Sequence, residues 1–163
     1  MARWWRSGRN TEGMQAFVSA GAGFLLAVLW FDLMFDVQVA GHEGAVLPDP
    51  VLASIAGYYR RVTTEARPMN RLVAAAMAGT VASLVVELAR GTGPGWMRWS
   101  SVVLAAAPIG LAGTRTVPNA VRLGTRADEP PQQSALARSI LRDHLFCAGA
   151  IAALLAVQLA TAS

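Results

Sequence analysis

The chain has no lysine: all 14 of its basic residues are arginine, set against 10 acids for a net charge of +4. Charged residues make up 15% of it, where soluble domains carry about a quarter. The single Cys147 excludes an internal disulfide and any cysteine cage for a metal, and reads as a buried, inert thiol. There are two histidines, His42 and His144, and no His-x-x-His or Glu-x-x-His pair. The Gly-rich turn from Gly91 to Gly95 has neither the lysine nor the preceding strand of a phosphate loop. No basic run is interleaved with aromatics, so nucleic acid is not an expected partner.

What fills the chain instead is apolar. Hydrophobic residues make up 54% of it, and the mean hydropathy is +0.40. Four stretches approach the roughly 20 residues that a helix needs to cross a bilayer. They cover about 14–39, 69–89, 98–123 and 132–162. Arg3, Arg6 and Arg9 precede the first stretch, as in a signal peptide. Its apolar run outlasts the roughly 7 to 15 residues of a signal core, and no small-residue cleavage site follows. It reads as a retained membrane helix, with Trp4 and Trp5 at the interface before it. Asp49-Pro50 signals a helix start, and residues 50–66 pattern as an amphipathic segment too charged to span. Pro68 breaks it from the second span, Pro108 and Pro118 should kink the third, and Gly124 should cap it. The expected fold is all-α: one domain over 1–163, a four-helix transmembrane bundle with one interfacial helix between the first two spans.

Small residues recur on these helices, at Ala75, Gly79 and Ser83, at Ala106, Gly110 and Thr114, and at Ala148, Ala152, Ala156 and Ala160 behind His144. Such stripes mark close helix approach in lipid, which aims His144 into the bundle.

An up-down bundle brings one end of each helix to the same face. That face collects Asp32, Asp36, His42 and Glu43, then Arg60, Arg61, Arg67, Asn70 and Arg71. Arg115, Asn119, Arg122, Arg138, Arg142, Asp143 and His144 complete it. The positive-inside rule puts this face in the cytoplasm, while the basic N-terminal tail argues for the reverse. Asp32 and Asp36 share a helix face, and an acid in mid-bilayer costs on the order of 3 kcal/mol, so each should meet a partner or a wet cavity. Two readings stay open. Either these groups form interhelical salt bridges that fix the register, or they line a polar pocket walled by Trp30, Phe31, Phe35 and Tyr59. In the pocket Asp32 or His144 acts as acid or base. Asn119 and Arg122 stabilise the resulting oxyanion, and Asp36, Asn70, Arg71, Arg115, Trp30 and Tyr59 bind substrate.

Pro118-Asn119 followed by Arg122, with His144 after Arg138 and Arg142, resembles the anthrone-oxygenase-like family of small bacterial and fungal four-helix membrane proteins. The resemblance covers the second to fourth spans and departs where a His-Trp-rich stretch is replaced by Ser139-Ile140-Leu141-Arg142-Asp143-His144. It implies oxygenation of a polycyclic phenol without a cofactor, with Asn119, Arg122 and His144 at the matching positions. The expected function is thus an oxidoreductase acting on a lipophilic aromatic or quinone-like molecule; a non-catalytic membrane subunit or lipid-binding module is the alternative. No cofactor is expected, and a metal or haem would have to draw on His42 and His144. The partners expected are membrane lipids and a lipophilic small molecule, with a homo-oligomer or larger membrane complex left open.

Overall fold

The computed structural model describes residues 2–91 and 93–160, with the side chains of residues 2–12 and of Arg67 outside that description. The expectations for Trp4, Trp5, the tail arginines and the Arg67 side chain therefore fall outside the described residues. Among those described there is no strand. Six α-helices run in order: α1 (Ala2–Asp36), α2 (Asp49–Arg60), α3 (Arg67–Arg90), α4 (Gly95–Leu111), α5 (Val117–Thr125) and α6 (Pro130–Ala160). Four helical stretches are long and apolar enough to cross a membrane: Gly13–Val39, Pro68–Arg90, Gly95–Thr125 and Pro130–Ala160.

The spans form a ring in which α1 and α4 each pack between α3 and α6. Every neighbour in the ring is antiparallel. Arg90 meets Met14 while Gly79 faces Phe17 farther along. Gln158 meets Ser101 at one end of α6, and Ser139 meets Arg115 at the other.

Proline shapes the two irregular places. A proline lacks the N–H that would bond the carbonyl four residues back, here Thr64 for Pro68 and Thr114 for Pro118. Each of those carbonyls sits in a π turn, Arg61–Glu65 or Ala112–Thr116. The wider i→i+5 pairing is closed by Ala66 N–H on Arg61 at 2.8 Å and by Val117 N–H on Ala112. The third span is thus a helix, one π turn and a second helix, where a kink was expected. Nor does Gly124 cap it: α5 runs on to Thr125, and Arg126 takes the left-handed cap at φ 52°. Gly124 serves packing, since a Cβ there would lie 2.9 Å from the Arg60 backbone nitrogen.

The small-residue stripes largely face outward. Ala75, Ala106, Gly110, Thr114, Ala152, Ala156 and Ala160 are all exposed. Steps of four residues advance about 400° on a helix, so such a row drifts about 40° per step and leaves the face it began on. The packed row of α6 alternates between the two helical spacings: His144, Cys147, Ile151, Leu154 and Gln158.

The buried residues form two cores. One lies within the spans: Val18, Ala22, Leu25, Leu84, Ala105, Ile151 and Leu154. The other gathers where α2 and α5 meet the start of α6, around Leu52, Ile55, Tyr59, Leu123 and Ile140. It is closed by Leu47, whose backbone N–H donates to Ser134 Oγ at 2.9 Å. The site lies between the two cores.

Candidate functional site

Asp32 and Asp36 stand one turn apart near the end of α1, so both carboxylates leave on the same side. Tyr58 and Tyr59 are adjacent on α2, about 100° apart around its axis, and each reaches one of these acids. Tyr58 Oη donates to Asp32 Oδ1 at 2.7 Å, and Tyr59 Oη donates to Asp36 Oδ1 at 2.6 Å. The Phe35 ring stacks on Tyr58 with centroids 4.0 Å apart and fixes its angle. From the opposite side α6 presents His144. Its Nδ1 lies 2.6 Å from Asp36 Oδ2 and 3.4 Å from Tyr59 Oη.

With Asp36 as acceptor, Nδ1 carries the proton and Nε2 offers its lone pair. That Nε2 lies 3.9 Å from Asp32 Oδ2. The gap is too long for a hydrogen bond, yet a hydroxyl about 2.8 Å from both atoms would fit beside it. Asp36 is fully buried and His144 nearly so. Both Asp36 oxygens are taken, so Asp32 Oδ2 and His144 Nε2 are the free acceptors of the set.

Asp32 and His144 also line a cleft of about 120 Å³. Apart from them and Thr116, its walls are apolar or thiol: Leu25, Leu29, Val73, Met77, Ile109 and Cys147 are among them. Behind His144, Asp143 is buried and holds Arg115 at 3.3 Å and the Thr116 hydroxyl at 3.3 Å. The π turn that supplies Arg115 and Thr116 is thereby tied to the residue before the histidine. Arg115 also donates to Ser139 at 2.9 Å.

The two tyrosines are the only ones in the chain. Burial raises both phenols above the ordinary tyrosine range, and the carboxylates of Asp32 and Asp36 raise them further. They stay protonated, so they remain donors to the acids at any working pH.

Of the residues singled out in the sequence, Asp32, Asp36, Tyr59 and His144 come together, and Arg115 joins them through Asp143. The rest go elsewhere. Arg122 forms a bidentate pair with Asp128 at 2.8 and 2.7 Å, outside the cleft. That exposed carboxylate in the next loop satisfies the guanidinium, which in turn holds the Asp128 carboxyl below its usual range. Asn119 is half-buried and makes no hydrogen bond among the described residues. Asn70 donates to the Thr63 carbonyl at 2.7 Å, closing the first π turn. Arg71 is exposed. Trp30 and Phe31 point outward, Trp30 with 68% of its surface free, so neither walls the cleft. His42 turns its Nδ1 to the Gln38 carbonyl of the preceding turn at 3.0 Å. It meets neither His144 nor an acid, and among the described residues no three His, Cys, Asp or Glu are placed to hold a metal.

Tyr58, Thr116 and Asp143 are the site residues the sequence did not single out. Only the Tyr58-Tyr59 doublet carried a signal, as paired donors above two acids spaced by one turn. No family model, no curated protein and no solved structure matches this chain.

Proposed function

We propose that the chain is a membrane-embedded oxidoreductase that takes a proton from a lipophilic hydroxy-aromatic or quinone-like substrate. One observation carries this reading: Asp36 holds His144 Nδ1, which leaves Nε2 facing an apolar cleft beside Asp32. A histidine oriented this way is a general base, and the imidazolium formed on proton transfer lies between two carboxylates that stabilise it. Tyr58 and Tyr59 hold those carboxylates in place. The substrate anion is the electron-rich form that dioxygen oxidises, and an aromatic CH2 group with O2 gives a carbonyl and water. This is the chemistry implied by the resemblance to anthrone oxygenases, with Asp32 and Asp36 in the roles first given to Asn119 and Arg122. The helix α2 would lie at the membrane surface, its Leu52, Ile55 and Tyr59 face turned down onto the bundle.

The test is dioxygen consumption by the protein in vesicles with hydroxyanthrones and alkylhydroquinones as substrates. His144→Ala and Asp36→Asn should each lower the rate by about 10²- to 10⁴-fold, with helical circular dichroism unchanged. A folded His144→Ala protein that keeps its rate overturns the assignment.

A second reading, a lipid- or partner-binding module, draws on Arg61, Arg71 and Arg142. All three are exposed, and none has an acidic partner among the described residues. Each would add about 1 kcal/mol of attraction to an anionic leaflet. In that case vesicle binding falls with each arginine removed, and His144→Ala leaves it unchanged.

A further inference from the structure

We infer that the cleft takes a membrane-dissolved lipid with a one-ring hydroxy-aromatic head, which enters sideways between α3 and the Ala112–Thr116 turn. The inference rests on the proposed site and names its ligand class and its route. Three observations carry it.

The first is size. An apolar cavity of about 150 Å³ holds one benzene ring, and this cleft measures about 120 Å³. It admits one ring as it stands, whereas three fused rings need roughly twice that space or more.

The second is the polarity of its closed end. The two groups free to meet a ligand, His144 Nε2 and Asp32 Oδ2, both accept hydrogen bonds, so the complementary head is a donor. Two carboxylates at this end repel a fatty-acid or phosphate head. A neutral hydroxyl suits them and carries no charge into an apolar chamber, where an ion is costly to desolvate.

The third is the side opening. Along the ring of spans α3 packs on α4, yet it forms no extended contact with the π turn or with α5 among the described residues. The cleft is lined from both sides of that gap, by Val73 and Met77 on α3 and by Ala112 and Val117 opposite. The surface around the gap is greasy, with Met69, Leu72, Val117 and Val121 all exposed. A ring seated against His144 leaves room in this gap for an apolar tail that runs out into the acyl chains. No such molecule has to cross water to reach the base.

The inference is tested with the full chain in phosphatidylcholine vesicles and 4-nonylphenol carrying a diazirine in its tail. After illumination the labelled residues are mapped by peptide mass spectrometry. Label is expected on 73–77 and 112–117, and unlabelled 4-nonylphenol should reduce it about tenfold. Its methyl ether, which cannot donate, should not reduce it, nor should nonylamine or 1,8-dihydroxyanthrone. Ala112→Phe, which fills the cleft, should remove the label. Val117→Trp at the mouth repeats the test should the first variant fail to fold, and Val103→Trp on the outer face of α4 should leave labelling intact. Label spread along outward residues such as Val103 and Leu159, insensitive to competitor, overturns the inference. Equal competition by the methyl ether, the amine or the tricycle overturns it as well. The two readings fail separately. Labelling as described with an undiminished His144→Ala rate removes the proton transfer and keeps this ligand. Lost activity in His144→Ala with scattered label does the reverse.

Discussion

The two cores of this protein are built on different terms. The core at the polar end resembles the inside of a soluble domain: Tyr59, Ile55, Leu123 and Ile140 are each at most 2% exposed, and large side chains interlock. The core within the spans is thin, with between 17% and 33% of each span's most apolar window buried. Water drives apolar groups together at the first place, whereas lipid tails give no such preference at the second. Inside the spans the helices hold by close approach and by a few polar contacts. Gln158 is fully buried and donates to Ser101 at 3.0 Å. Gln15 donates to the Gln158 carbonyl at 2.7 Å. The comparison teaches where rigidity comes from. His144 and its acids sit at the seam, gripped on one side by the dense core through Tyr58 and Tyr59. On the other side they face the loosely filled half, where a cleft remains.

Substitutions separate the two regions. The largest effect should come from Gly124→Ala, because the added carbon meets Arg60 backbone atoms at 2.9 and 3.1 Å, which cannot turn aside. The α2–α5 contact must open, at a cost of about 1–3 kcal/mol, and unfolding in detergent should show it. Gly21→Ala is the matched change within the spans. There the new carbon meets Thr80 Oγ1, a side-chain atom with no hydrogen bond to lose, and a rotation relieves it. An equal loss from both substitutions would erase the distinction between the cores.

A middle-sized effect concerns the tyrosines. Both are held protonated, and no others contribute, so absorbance at 295 nm should show no phenolate while the protein is folded. In the unfolded chain the phenols ionise near pH 10. The unfolded state therefore binds fewer protons above that pH, and folded stability should fall as pH rises past about 10. A phenolate step near pH 10 in the folded protein would mean that the tyrosines are not gripped by the acids. The smallest effect is expected from Arg122→Gln, which removes an exposed pair with Asp128 far from the cleft and should leave both stability and turnover within error.

Much of this was legible in the sequence, and what was missed has a physical reason. Hydropathy marks a span because lipid tolerates little else, so the four spans stood out. Asp32, Asp36 and His144 were conspicuous for the same reason, as polar groups in apolar runs. What sequence cannot supply is the choice among partners. Arg122 could have turned to either aspartate of α1, but Asp128 in the following loop was nearer. Trp30 looked like a pocket wall because aromatics often are, yet rotation about α1 puts it outside. The proline breaks were visible, while their resolution as π turns depends on a neighbour able to hold the widened turn. Asp143 does this for the second turn, through Arg115 and Thr116, and Asn70 for the first.

The second of those turns has a consequence for how the chain tolerates change. A π turn amounts to one surplus residue in an otherwise regular helix. Deleting a single codon within 112–116 would let the third span wind as plain α-helix, swinging everything after it by about 100°. Arg115 and Asp143 would lose their alignment, and α5 would present a different side to α2. Point changes at Gly113 or Thr114 leave that count intact, so this stretch should accept exchanges of letter far more readily than any change of length.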